Sequence, residues 1–279
     1  MGLILLIAMI VQADGDVLTE ARALWLKGSD DEALELLEKE DATSPPVAVL
    51  RSACHEARGR SKEALDALAV ALAPHPSDPD LVTARARLVR QSGRAEEALS
   101  LLEPILKEHT DHLGARWEQS EALIELGKDE EVLPQLEWFI DFYNDRQPTK
   151  AEDLVLIARG AAEYARRTRA ADEFEFILNT LLADARAADA DHWPTDALAG
   201  AILLEKYNKA EAIPLLQKAL AANPSSVELL VLLGVSSMRD FDFPNGFNFA
   251  KQALEVNPNS VTAHCLKADL LILDERVDD

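Results

Sequence analysis

One recurrence constrains this chain more than anything else in it. The stretch "GSDDEALELLEKED" opens at Gly28, "GRSKEALDALAVAL" at Gly59 and "GRAEEALSLLEPIL" at Gly93, and Gly127 stands in the same setting. The intervals are 31, 34 and 34 residues. Five places after these glycines come Ala33, Ala64, Ala98 and Val132, and Ala171, Ala212 and Gly246 continue the series at intervals of 39, 41 and 34. Pro45, Pro76, Pro224 and Pro258 fall twelve residues after Ala33, Ala64, Ala212 and Gly246. A proline there ends one helix and starts the next turn, because it lacks the amide hydrogen a helix interior needs. A repeat of this length describes a chain that stacks one supersecondary unit, with no need for a single central core.

Each unit reads as two helices. The first needs small residues where the second crosses it, and Ala21, Ser52, Ala86, Ser120, Gly200 and Gly234 supply them. The second starts near Asp30, Ser61, Ala95, Lys209 or Phe243, and Ala33 with Leu37, Ala64 with Leu68, and Ala98 with Leu102 share a face at i, i+4 spacing. One unit cannot bury that face alone, so stacking must bury it. "LLEKYNKAEAIPLLQKALAANPSS" and "LLGVSSMRDFDFPNGFNFAKQALEVNPNS" carry this pattern most fully. The chain resembles the tetratricopeptide repeat in these residues, over about positions 14 to 279. The resemblance implies an all-α fold, a right-handed α-solenoid of about seven helix-turn-helix repeats plus an incomplete eighth, with the first helices lining a concave groove. The expected division is repeats 1–4 over 14–145, an irregular elongated repeat over 146–193, and repeats 6–7 with the first helix of an eighth over 194–279.

Composition narrows the function. Hydrophobic residues make up 48% of the chain but aromatics only 5%, so the core is built from Ala, Leu and Val. With 50 acidic against 28 basic side chains the formal net charge is −22, which would repel a phosphate backbone, so no nucleic-acid partner is expected. Nine apolar residues from Leu3 to Val11, followed by Gln12-Ala13, read as a secretory signal peptide over 1–13, although no Lys or Arg precedes them. Nine are too few to span a bilayer, which takes about 20. The expectation is a periplasmic or secreted protein with no membrane insertion after cleavage, or a cytoplasmic one if that segment is no signal. Cys54 and Cys265 are 211 residues apart, have no metal or redox spacing, and read as two small buried residues.

Catalytic motifs are missing. His55-Glu56 is followed by Gly59 where a zinc helix would place its second histidine, and His109 and His112 sit at an inter-helix turn where polar residues are the rule. Neither enzymatic activity within these residues nor a cofactor or metal is expected. What remains is the groove, whose candidate partner-binding residues are Arg22, Trp25, Arg87, Arg90, Trp117 and Glu121. Ala53 and Glu56 join them, while Leu156, Gly160, Ala197, Ala201, Val231 and Val235 give the later half an apolar lining. Such a lining suits a protein or peptide partner with an acidic and then an apolar portion. Trp138, Phe139, Phe142 and Tyr143 read as filling a wide junction between repeats, and the unit after them lacks the glycine turn and has a longer second helix. At the carboxyl end, Leu266, Leu270 and Leu273 are expected to need cover from a partner or a continuation of the chain. The units "AEDLVLIARGAAE" and "DALAGAILLEKYNKAEAIPLLQKAL" look, more loosely, like the amino-terminal repeat arm of exported bacterial proteins with a gluzincin-type metallopeptidase domain. Two functions follow: a non-enzymatic protein–protein interaction scaffold, or the substrate-recognition arm of a larger exported hydrolase.

Overall fold

The computed structural model describes residues 17–274; the leader read over 1–13 lies outside them. Among the described residues there are helices and turns and no strand. Helix α1 (17–26) is followed by α2 (Asp30–Leu37), α3 (Pro45–Ala57), α4 (Ser61–Leu72), α5 (Pro79–Gln91), α6 (Ala95–Glu108), α7 (Leu113–Glu125) and α8 (Asp129–Arg146). Then come α9 (Ala151–Thr168), α10 (Ala171–Phe176), a π-helical turn (Ile177–Leu181), α11 (Leu182–Ala188), α12 (Trp193–Glu205), α13 (Lys209–Ala222), α14 (Val227–Arg239), α15 (Phe243–Val256) and α16 (Val261–Leu273). From α5 to α14 the first helix of each repeat packs on its own second helix, on the second helix before it and on the first helices to either side. That two-layer stacking is an α-solenoid.

Local chemistry sets the helix ends. Gly28, Gly59, Gly93 and Gly127 hold φ of +76°, +70°, +81° and +68° between the two helices of repeats 1 to 4, a step a side chain resists. In repeats 5 to 7 Arg169, Tyr207 and Phe241 take the same left-handed step at φ of 59°, 61° and 60°. Asp78, Ser226 and Ser260 accept hydrogen bonds from the amides of Leu81, Leu229 and Ala263, capping α5, α14 and α16. Pro45 stands in the first turn of α3, where its missing amide costs nothing, so it opens the helix that follows.

The crossing points are as small as expected. Ala21, Ser52, Ala86 and Ser120 are fully buried, and a Cβ on Gly200 would meet Leu216 Cγ at 2.6 Å. Repeat 5 departs from the rest. Helix α8, which closes repeat 4, and α9, which opens repeat 5, each run 18 residues, against 8 in α2 and 12 to 14 in α3 to α7 and α12 to α16. The second helix of this repeat is lengthened too, and it is interrupted by the π turn. Around that turn Ile177, Leu181, Leu182 and Ala185 are all fully buried. Phe139 is fully buried against α9, with Trp117 and Trp138 edge-on to its ring at 6.4 and 5.4 Å. The aromatic cluster is thus the filling of a wide junction.

Two expectations fail near the carboxyl end. Leu266 and Leu270 are 2% and 0% exposed, because Ala250, Phe247 and Val235 of α14 and α15 already cover them; only Leu273, at 50%, is open. Cys54 is buried, its thiol pushed up to about 12 by desolvation, whereas Cys265 lies on the outer side of α16 and is exposed. No helix among the described residues is long and apolar enough to cross a membrane.

Candidate functional site

The solenoid bends until its two ends touch, and a cavity that stays partly open to solvent lies between them on the concave face. The cavity so formed has a volume of about 780 Å³. One wall consists of α1, α3, α5 and α7, which contribute Trp25, Glu56, Arg87, Arg90 and Glu125; the other is the turns before α14 and α16, with Asn223 and Asn257. Both partners of the closure lie more than 160 residues apart: Trp193 Nε1 donates to the carbonyl of Leu26 at 2.8 Å, and Asn259 Nδ2 donates to that of Gly59 at 3.0 Å.

Every arginine expected in the groove is matched by carboxylate. Arg22 pairs with Glu152 at 2.7 Å, and Arg87 with Glu56 at 2.8 Å, where Gln91 also donates at 2.9 Å. Arg90 is buried and faces three carboxylates, Glu118 at 3.0 Å, Glu125 at 2.5 Å and Glu121 at 3.6 Å. Burial pushes the Glu118 and Glu121 carboxyls above their ordinary range, while the surrounding carboxylates hold Arg90 firmly charged against the cost of its own burial. This site therefore has no spare guanidinium for an acidic ligand.

The structure brings Trp25, Arg87 and Arg90 to the cavity wall with Ala53 and Glu56. Arg22 is exposed and tied to Glu152. Trp117 points instead into the core between repeats 4 and 5, against Phe139 and Leu136. Glu121 stands behind the wall beside Arg90, and Glu125, one turn on, reaches the cavity. Of the residues expected to give the later half an apolar lining, Gly160 lies under Phe139, Ala197 is buried, Val231 and Val235 pack toward α15 and α16, and Leu156 and Ala201 are half-buried. Sequence reasoning missed Asn223, Asn257 and Asn259. The Asn-Pro pairs were visible, but nothing local shows that the chain bends enough to carry them to Gly28 and Gly59.

Two of the histidines have clear structural partners. His112 Nδ1 accepts from the amide of Ala115 at 3.0 Å, so its Nε2 carries the hydrogen toward Asp80 at 3.1 Å and holds that carboxyl below its usual range. His192 is buried against Thr195 Oγ1 at 2.9 Å. Among the described residues no group of three or more His, Cys, Asp or Glu could hold a metal ion.

No protein-family model matches this sequence, and no curated protein matches it. Solved structures do. The chain is similar to a tetratricopeptide-repeat protein from Parabacteroides merdae, at 18% identity over 93% of this chain and 99% of that one, with a TM-score of 0.57. It is also similar to a chain of the APC/C hetero-tetramer Cut9–Hcn1, at 15% identity over 92% of this chain and 49% of that one, with a TM-score of 0.66. At these identities the likeness establishes the fold, which places the chain among the helical-repeat solenoids. Its repeats are tetratricopeptide repeats in architecture, and the looser likeness to metallopeptidase arms finds no support in these neighbours.

Proposed function

We propose that the chain is a non-enzymatic scaffold that holds a segment of a partner protein in the concave cavity. The observation that carries this reading is the cavity itself: about 780 Å³ walled by the first helices of successive repeats, the face that a solenoid offers to a partner. Trp25 and Trp193 supply aromatic anchors at its edge, and Gln91, Asn223 and Asn257 supply amides that both donate and accept. Because Arg22, Arg87 and Arg90 are already neutralised, the lining favours a polar segment offering donors and acceptors over an acidic one. The fold neighbours support a protein-binding scaffold in general and name no partner for this chain. Export by the residue 1–13 leader belongs to the same proposal, and amino-terminal sequencing of the mature protein tests it.

Photo-crosslinking amino acids at Trp25 and Gln91, with one at the exposed Tyr207 as an outside control, test the binding. A partner protein crosslinked from the two cavity positions and absent from the control supports the reading. Cavity positions that crosslink only to this chain sink it.

A further inference from the structure

We propose that the contact between the two ends of the solenoid is a lateral gate, a seam that opens to admit a segment to the cavity. The first observation is a register. Asn223 and Asn257 are 34 residues apart in successive repeats, and their side-chain Oδ1 atoms fold the following turns by accepting from the amides of Ser225 at 3.1 Å and Asn259 at 2.9 Å. These two turns sit on Gly28 and Gly59, the equivalent turns of repeats 1 and 2. A Cβ on Gly28 would overlap Asn223 Oδ1 and come within 2.8 Å of Ser225 Cβ; one on Gly59 would overlap Asn257 Oδ1, with its Cγ at 2.9 Å. The same glycine recurs at Gly93 and Gly127, with the same left-handed φ, and nothing lies within 4 Å of a Cβ there. Two of four identical turns therefore serve as sockets.

The second observation is the kind of contact that makes the closure. Neighbouring repeats are joined along whole helices, but α2 and α3 run along no helix from α12 to α16. Contacts across the seam include turns, the Trp193–Leu26 and Asn259–Gly59 hydrogen bonds, and the Arg22–Glu152 pair, whose side chains are about half exposed. Exposed pairs of that kind contribute little. The third is position: Gly28, Gly59, Asn223, Ser225, Asn257 and Asn259 all line the cavity, so parting the seam widens the cavity along its side. A segment bound inside would share these turns with the seam and shift the population toward the open form. This last step rests on the scaffold reading above; the seam's opening does not.

The experiment measures one distance across the seam. Spin labels at Arg60→Cys and Thr262→Cys, in a Cys265→Ser background with buried Cys54 retained, are read by pulsed electron resonance in the full chain. Gly28→Ala with Gly59→Ala should raise the fraction at longer distance by about fivefold or more, the response expected when contacts worth roughly 1 kcal/mol are lost. Gly93→Ala with Gly127→Ala has the same backbone cost and no seam contact, so its distribution should match the parent. If the seam pair fails to fold, Asn259→Ala removes one cross-seam hydrogen bond and should give a smaller shift in the same direction. A single short distance in every seam variant overturns the gate, and so does equal opening by the control pair. Because no ligand is involved, failure of the scaffold reading would leave this result standing, and the reverse.

Discussion

At the scale of single residues, the buried Arg90 cluster behaves unlike the surface pairs. Replacing it by methionine leaves Glu118, 6% exposed, without its counter-charge. Arg90→Met is therefore expected to cost about 3–5 kcal/mol in urea unfolding, and adding Glu118→Leu should recover most of it. A second prediction concerns His192, which burial keeps below the ordinary histidine pKa although Glu152 and Asp189 pull the other way. A depressed folded pKa gives stability that is present above the unfolded value near 6.5 and lost as pH falls through the folded one. Glu118 and Glu121, with raised pKa, oppose this by gaining stability on acidification, so the informative quantity is a difference. Thermal melts from pH 7 to pH 5.5 should show wild type losing stability relative to His192→Gln. Arg87 and Arg90 were legible in sequence because repeat phase fixes which face they occupy. Their neutralisation was not, since Glu56, Glu118 and Glu125 meet them from other helices.

At the scale of elements, the regular repeats were readable because glycine, small residue and leucine recur in one phase. The starts of α2, α4, α6, α13 and α15 fall where the pattern puts them. Repeat 5 was recognisable as irregular, but its π turn has no sequence signature, and Leu181 and Leu182 beside it are both fully buried. Leu182→Ala is expected to cost about 2–5 kcal/mol by chemical denaturation, as for a buried core leucine. Gly160 makes a related point. It was read as groove, yet Phe139 of the preceding repeat lies directly on it, with Cγ at 2.5 Å from where a Cβ would be. Gly160→Ala should cost about 1–3 kcal/mol, and Phe139→Leu in the same chain should relieve part of that loss.

At the scale of the whole molecule, charge and closure work against each other. The net charge of −22 repels itself, while exposed ion pairs return only about 0–1 kcal/mol each. Raising salt from 0.05 to 0.5 M is accordingly expected to raise the Tm by a few degrees, roughly 2–4 °C per kcal/mol for a chain near this size, and a fall would mean that ion pairs dominate. How tightly the solenoid bends was the least legible property, since a few degrees per repeat decide whether Trp193 reaches Leu26, and no short stretch encodes that angle. The consequence of the seam reaches past access to the cavity. In an open linear array the terminal units have one neighbour each, so fraying starts there and runs inward. Joining the first described repeats to the last turns the line into a loop, in which the outermost units are tethered at high effective concentration and must break two boundaries to melt. A few weak contacts can in this way make a chain of separable parts unfold as one.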